Sequence, residues 1–284
     1  MGKFEEALKK AEAAKNSTVL EPVASKVVEI SDEEIDTLRL DDSTAEQSKL
    51  APDSSLTGET DPLLVALSDT QSTIAEQFKL LRAKILCREK ACGSLAIMIT
   101  SAQSLDGKSL VAANLAVTIA QGINEHVLLV DCDLRQPSLH QLFGMQPGDG
   151  IREYLENGTS IAPYLRKTQV NKLTLLPAGK PPPNPSELLS SEKMRQLIEE
   201  LRDRYQDRHI IFDVAPAGFA AEANFLATMM DNVLLVIRSG RTAMKPAMEA
   251  IDHIGRDRIL GIVVNGDRES QKKYNYYYRY YGKK

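Results

Sequence analysis

The sequence predicts an α/β fold in which a parallel sheet carries helices on both faces. From about residue 95 onward, short apolar runs alternate with amphipathic stretches, which is typical of parallel strands joined by helical crossovers. The runs are rich in Val, Ile and Leu, as expected of strands that are buried on both faces. The chain has 284 residues, 43% of them hydrophobic, which is enough for one or two domains with a substantial core.

Charge and composition divide the chain into three parts. Residues 1–60 hold 14 acidic and 7 basic side chains and one aromatic residue, so we expect residues 1–67 to be mostly disordered, apart from a short amphipathic helix at FEEALKKAEAAK. Residues 68–266 form the predicted globular domain and residues 267–284 a flexible tail. No apolar run approaches a membrane span and no signal-peptide core is present, so we expect a cytoplasmic protein with reduced cysteines.

Each predicted element follows from a local pattern. Residues 68–91 repeat apolar side chains at helical spacing and predict a helix before the first strand. Short apolar runs predict buried strands at residues 95–101, 126–133, 172–179, 209–216, 232–240 and 259–265. Periodic stretches predict helices between several of these strands, at residues 108–122, 192–205, 221–230 and 245–255.

The segment TSAQSLDGKSL joins the first of these strands to a helix and has the composition of a phosphate-binding loop (P-loop). Backbone N–H groups at a helix start attract phosphate, Lys108 can reach the outer phosphates, and the Ser109 hydroxyl can ligate Mg²⁺. We therefore predict a P-loop NTPase-like fold that binds a nucleoside triphosphate with Mg²⁺. The predicted nucleotide-binding residues of this segment are Ser104, Leu105, Asp106, Gly107, Lys108, Ser109 and Leu110.

The loop departs from the usual pattern. Ala102 stands where a glycine is usual, and Ser104 and Leu105 occupy positions that usually hold small or turn-forming residues. A leucine held in the left-handed conformation costs roughly 1–2 kcal/mol. If the loop shifts to relieve that strain, its N–H groups are aimed less well, so we expect reduced nucleotide affinity.

Three carboxylates follow the ends of predicted strands. Asp131 and Asp133 close the run LLVDCD, and Asp213 closes HIIFD. The ends of parallel strands meet at one sheet edge, where the P-loop also opens, so we expect these side chains to converge there with Lys108. Such carboxylates hold Mg²⁺ or accept a proton from an attacking hydroxyl. We predict Lys108, Asp131 and Asp133 as catalytic residues, Ser109, Asp131 and Asp213 as metal ligands, and Asp213 as a further nucleotide-site residue.

The C-terminal tail concentrates the tyrosines. From residue 266 to the end, the chain carries six Lys/Arg and two Asp/Glu, so the tail is basic. Six of the nine tyrosines lie in YNYYYRYY, at Tyr274, Tyr276, Tyr277, Tyr278, Tyr280 and Tyr281.

A resemblance connects these features. In chain order, SLDGKS, LLVDCDLRQPSLHQLFG, LPAGKPPPNPSELL, IIFDVAP, NVLLVIRSGRT and the tyrosine tail resemble the bacterial tyrosine kinases (BY-kinases), P-loop proteins of capsule and exopolysaccharide synthesis. The resemblance covers about residues 70–284. It implies an ATP- and Mg²⁺-dependent autokinase that phosphorylates the tyrosine cluster between subunits and regulates polysaccharide synthesis and export. It also implies that Asp131 lies near Mg²⁺ and that Asp133 is a candidate base.

The resemblance extends to assembly and partners. BY-kinases carry an E-x-x-R-x-x-R helix that builds a ring of subunits, and this chain matches it with Glu76, Lys79 and Arg82. Lysine in place of the first arginine cannot form a bidentate fork with a carboxylate. The implied partners are further copies of this chain, a membrane-bound polysaccharide co-polymerase that activates the kinase at the inner face of the membrane, and a tyrosine phosphatase. No nucleic acid is implied.

Three other interpretations remain open at this stage. A partitioning or Min-type ATPase shares the fold, but those loops have a lysine where this chain has Gln103. A nucleic-acid-binding module would explain the tail, but it leaves the three aspartates without a role. A degenerate scaffold with weak nucleotide binding agrees with three departures from the family pattern: Ser104-Leu105 replaces Pro-Gly, VAP replaces TPP after Asp213, and Glu222 replaces Asp.

Overall fold

The computed structural model describes residues 25–27, 58–88, 95–205, 207–218 and 220–267. The predicted N-terminal helix and the tyrosine cluster lie outside these residues.

Within the described residues, eight strands form one sheet. They are β1 (Ser25–Val27), β2 (Ala96–Ser101), β3 (His126–Cys132), β4 (Arg166–Lys167), β5 (Leu173–Leu176), β6 (Arg208–Val214), β7 (Asn232–Arg238) and β8 (Ile259–Asn265). Their spatial order is β1-β8-β7-β2-β6-β3-β5-β4. The six central strands are parallel, which confirms the predicted α/β fold, whereas β1 and β4 pair antiparallel at the two edges.

Helices connect the parallel strands and cover both faces of the sheet. They are α1 (Val65–Ser68), α2 (Thr73–Arg88), α3 (Lys108–Ala120), α4 (Leu139–Leu142), α5 (Ile151–Asn157), α6 (Pro185–Leu189), α7 (Glu192–Arg204), α8 (Ala221–Ala227) and α9 (Met244–Ile254). The five helices predicted in this region correspond to α2, α3, α7, α8 and α9. None of the helices in the described residues combines the length and apolar character that crossing a membrane requires.

The core has two layers because successive strand residues point to opposite faces. Along β2, Ala96 and Met98 pack with α5 to α9, whereas Ile97 and Ile99 pack with α1, α2 and α3. Helix α3 is buried nearly all round, since β2 and β3 cover one side and α1 and α2 cover the other. This helix was predicted to be amphipathic. In the structure it is buried on nearly all sides and lies inside the domain.

The domain begins before residue 68, which corrects the predicted boundary. Leu64 is fully buried, and the Ala66 N–H donates to Asn114 Oδ1 of α3 at 3.0 Å. The Gly58 N–H donates to the Gly144 carbonyl at 3.1 Å. The short apolar stretch at residues 64–67 packs against α3, and such a contact between separate segments does not follow from local composition. Strand β1 also falls inside the segment that was predicted to be mostly disordered.

Candidate functional site

The carboxyl ends of β2, β3 and β6 lie side by side, with β2 bonded to β6 and β6 to β3. Asp131 and Asp213 are paired in register across the last two of these strands. An open cleft of about 510 Å³ lies beyond this edge. Its lining residues are Ser104, Leu105, Gly107, Lys108, Ser109, Leu110, Asp133, Arg135, Gln136, Pro137, Ser138, Ala215, Pro216 and Ala220. Most of the predicted P-loop residues therefore line one cleft.

The P-loop bends through two left-handed residues before α3. Leu105 has φ 67° and Gly107 has φ 95°. Leu105 is 68% exposed, and its backbone carbonyl accepts a hydrogen bond from Arg238 Nη1 at 3.1 Å. A Cβ atom on Gly107 would overlap Asn265 Nδ2, so this position requires glycine for space as well as for conformation.

Asp106 turns its side chain into the protein and does not line the cleft. Its carboxylate accepts hydrogen bonds from the Gln103 N–H at 2.9 Å and from Thr242 Oγ1 at 2.8 Å. Its carbonyl accepts from Asn265 Nδ2 at 2.8 Å. Burial raises the pKa of Asp106, and the Thr242 hydrogen bond opposes that shift. Asp106 thus fixes the shape of the loop, and its side chain is not free to contact a phosphate.

Lys108 begins α3 and is nearly buried among carboxylates. Its Nζ lies 2.7 Å from Asp133 Oδ2 and 3.3 Å from Asp213 Oδ1, and 3.0 Å from Ser109 Oγ. Burial disfavours the ammonium, but Asp213 and Asp133 outweigh it and raise the pKa of Lys108. The lysine stays charged and balances the negative charge of the site, with Asp131 also nearby.

Asp131 and Asp133 have different surroundings. The two oxygens of Asp131 accept backbone N–H groups from Asp133 at 3.2 Å, Ser138 at 3.3 Å and Leu139 at 3.2 Å. Asp131 is fully buried, and burial and then Asp213 raise its pKa. Asp133 lines the cleft, and its Oδ1 accepts from the Gln136 N–H at 3.0 Å. Of the three predicted carboxylates, Asp133 is therefore the one that faces the cleft.

The remaining predicted metal ligands lie at the base of the site. Asp213 is fully buried beside Lys108, and Ser109 makes a side-chain hydrogen bond to it. Burial raises the pKa of Asp213, and the Lys108 charge opposes that shift. No group of three His, Cys, Asp or Glu side chains within the described residues is arranged to hold a metal by itself. The predicted ligands Ser109, Asp131 and Asp213 suit Mg²⁺, because this ion binds through few protein ligands plus phosphate oxygens and water.

Arg135 lines the same cleft and belongs to a cluster of three polar side chains whose mutual contacts local patterns did not predict. Arg135 follows Asp133 in the DLRQP motif, and its Nε donates to Glu222 Oε1 at 2.9 Å. Its Nη2 donates to Ser186 Oγ at 2.8 Å. The three residues come from the β3–α4 loop, α6 and α8.

The predicted oligomerisation residues make contacts within the chain. Lys79 Nζ lies 2.6 Å from Glu76 Oε1 on the same helix, α2. Arg82 Nη1 donates to the Thr118 carbonyl of α3 at 3.0 Å. Subunit contact through these residues remains a prediction.

The conformation of Leu105 predicts the effect of replacing it with glycine. Because Leu105 already has φ 67°, the loop keeps its shape and the strain is present before any ligand binds. Leu105→Gly should raise the free energy of unfolding by about 1 kcal/mol and change ATP affinity less than threefold. Thermal unfolding and calorimetry with ATP measure the two quantities. A tenfold gain in affinity at unchanged stability would instead mean that leucine misdirects the N–H groups.

Comparisons with known proteins agree with this geometry. Residues 97–280 match the family model of the CobQ/CobB/MinD/ParA nucleotide binding domain. The chain is 34% identical over 215 residues to the putative tyrosine-protein kinase CapB of Staphylococcus aureus, which covers 75% of this chain and 92% of that protein. It is 35% identical over 217 residues to the tyrosine-protein kinase YwqD of Bacillus subtilis, covering 75% and 90% respectively.

A solved structure gives the same likeness in three dimensions. The crystal structure of the chimerical protein CapA2B2 superposes with a TM-score of 0.65 at 29% identity. The match covers 72% of this chain and 90% of the chimera.

Proposed function

Because this chain belongs to the bacterial tyrosine kinase (BY-kinase) family, within the CobQ/MinD/ParA group of nucleotide-binding proteins, we propose that it transfers the terminal phosphoryl group of ATP to the tyrosines of its own tail. It is a tyrosine autokinase of capsule and exopolysaccharide synthesis. The observation that carries the proposed mechanism is the convergence of Lys108, Asp133 and Asp213 beside a cleft that the P-loop lines.

The P-loop and α3 bind the phosphates. The backbone N–H groups around Gly107 and the positive end of the α3 dipole attract their negative charge. Lys108 exchanges Asp133 for a phosphate oxygen, which leaves this carboxylate free of its ion pair. Ser109 and Asp213 are the residues that would hold Mg²⁺, which neutralises charge on the phosphates when bound.

Asp133 acts as the base. It faces the cleft, whereas Asp131 is occupied by three backbone N–H groups. The tyrosine hydroxyl gives its proton to Asp133, its oxygen bonds to the terminal phosphorus, and the bond from phosphorus to the leaving ADP oxygen breaks. Asp131 supports this step through the Asp133 N–H, which fixes the backbone of the β3–α4 loop.

The tail of a neighbouring subunit supplies the tyrosine. From residue 266 the chain has 19 residues, and a chain of that length can span at most about 65 Å. Several tyrosines raise the chance that one reaches Asp133 without a fixed register. Each added phosphate carries about −1.5 to −2 charges, so a few reverse the basic charge of the tail and weaken its attraction to the carboxylates.

A mixing experiment tests this function and its direction. A Lys108→Met chain that keeps its tail is incubated with Mg²⁺-ATP and an active chain shortened after Gly266. We expect phosphotyrosine on the inactive chain, at Tyr274 to Tyr281, because the shortened chain supplies the site. A Lys108→Met chain with the six tyrosines changed to Phe is the control and should stay unlabelled. If the Lys108→Met chain with its tail stays unlabelled beside the active chain, transfer between subunits is refuted.

A CapA-like membrane protein is the partner that the likeness to CapA2B2 supports. We propose that its cytoplasmic segment activates the kinase and recruits it to the inner face of the membrane, where a tyrosine phosphatase reverses the modification. The isolated protein should then autophosphorylate slowly, and a cytoplasmic fragment of this partner should raise the rate at least tenfold. Rate measurements with the fragment and with a scrambled fragment check this. Equal rates in both would count against activation.

A further inference from the structure

Arg135, Ser186 and Glu222 form a closed set of hydrogen bonds at the cleft. Arg135 donates from Nε to Glu222 Oε1 at 2.9 Å and from Nη2 to Ser186 Oγ at 2.8 Å. Ser186 Oγ in turn donates to Glu222 Oε2 at 2.8 Å. Both carboxylate oxygens and two of the three guanidinium nitrogens are thereby occupied, so the plane of the guanidinium is fixed.

The burial of Glu222 shows that this set holds Arg135 in place. The Glu222 side chain is 1% exposed, whereas that of Arg135 is 48% exposed and lines the cleft. A buried carboxylate needs a charged partner, because its desolvation is otherwise too costly. Burial opposes ionisation, but the hydrogen bonds from Arg135 and Ser186 lower the pKa of Glu222. Glu222 is therefore an anchor that remains ionised behind an arginine that faces the ligand space.

We propose that Glu222 and Ser186 position Arg135 so that its remaining nitrogen, Nη1, binds the terminal phosphate of ATP in the cleft that Lys108 also lines. Among the described residues, Nη1 has no hydrogen-bond partner. This inference rests on the proposed function, since it assumes that ATP occupies the cleft.

The position of Arg135 on its loop identifies which phosphate it contacts. Arg135 follows Asp133 by two residues, and Asp133 must lie where the tyrosine oxygen meets the terminal phosphorus. Because Asp133 and Arg135 lie on one loop and both line the cleft, we expect Arg135 to meet the phosphate that Asp133 faces. The incoming tail is an unsuitable ligand for Arg135, because six Lys/Arg against two Asp/Glu give it positive charge.

The ratio of ATP to ADP affinity tests the contact, because ADP lacks the terminal phosphate. Arg135→Met should lower ATP affinity about tenfold, the value of a hydrogen bond to a charged group, and ADP affinity less than twofold. Arg256→Met is the matched control, since Arg256 is exposed and pairs with Asp252 at 3.4 Å. Both nucleotides are measured by calorimetry with Mg²⁺.

Two outcomes are separable. Equal losses of ATP and ADP affinity in Arg135→Met, or no loss of either, would overturn this inference alone. A wild-type protein that bound neither nucleotide would instead overturn the proposed function. Arg135→Lys, which keeps the charge but loses the fork held by Glu222 and Ser186, should lie between wild type and Arg135→Met.

A double-mutant cycle tests the positioning role of Glu222. Glu222→Gln should lower ATP affinity about threefold and Ser186→Ala about twofold, each with ADP affinity unchanged. In the Arg135→Met background, neither should have a further effect, because both act through Arg135. Losses of the same size in both backgrounds would show that Glu222 and Ser186 act independently and would overturn the positioning role.

Discussion

Lys108→Met should abolish autophosphorylation and remove most of the affinity for ATP. Lys108 is the cation that begins α3 beside the P-loop, and methionine has a similar length but offers no donor to a phosphate. Calorimetry and phosphotyrosine detection measure the two losses. Lys245→Met, on a lysine whose side chain is 86% exposed, is the control and should behave as wild type. Phosphotyrosine at the wild-type level in Lys108→Met would exclude this site.

The same substitution should also lower stability, because Lys108 balances buried carboxylates. Asp131 and Asp213 already have raised pKa values with Lys108 in place. Removing one partner of a buried ion pair costs about 3–5 kcal/mol. A carboxyl group with a raised pKa in the folded state binds protons more readily there than in the unfolded state. The variant should therefore regain stability relative to wild type as pH falls from 7 toward about 4.

Urea unfolding at several pH values measures this effect. The difference in the free energy of unfolding between wild type and Lys108→Met should shrink as pH falls. A difference that stays constant, or that grows toward acid, would mean that the carboxylates do not depend on Lys108 for their charge.

Asp133→Asn should lower the rate of tyrosine phosphorylation by at least 10²-fold, the lower range for loss of a general base. ATP affinity should stay equal or increase, because Lys108 is released from the carboxylate that lies 2.7 Å away. Asp213 remains near Lys108 and keeps part of its charge balanced. Single-turnover kinetics and calorimetry separate the two effects.

Two other asparagine variants sharpen this result. Asp131→Asn should mainly lower stability, since an amide nitrogen there faces backbone N–H donors at Ser138 and Leu139. Asp252→Asn changes an exposed carboxylate outside the cleft and should leave the rate unchanged. If Asp133→Asn kept its rate within threefold of wild type, another group would have to accept the proton.

Local patterns predicted much of this fold and part of the site. Each apolar run that predicted a strand forms a strand in the structure, because strands buried on both faces have a continuous apolar sequence. The register of parallel strands then brings Asp131 beside Asp213, as the two strand ends implied. The strand-to-helix position of GKS likewise placed Lys108 at the start of α3.

Local sequence patterns did not predict the contacts between residues that are far apart in the chain. The Asp106 carboxylate is held by Thr242, which is 136 positions away, and its carbonyl accepts from Asn265, which is 159 positions away. Glu222 lies 87 positions from Arg135, so their pairing depends on the packing of α8 beside the β3–α4 loop. The ordered stretch before residue 68 depends in the same way on Asn114 of a separate helix. Such contacts follow from tertiary structure, which a single sequence does not reveal.

The two short antiparallel strands have a consequence for solution behaviour. An open sheet exposes unpaired N–H and C=O groups at its edges, and other chains can add to them as strands and aggregate. Strand β1 covers β8 from Val263 to Asn265, and β4 covers Leu175 and Thr174 of β5. Within the part of the chain that the structure describes, both outer strands are only two or three residues long, so neither offers a long template for another sheet. Short edge strands of this kind limit the joining of one sheet to another.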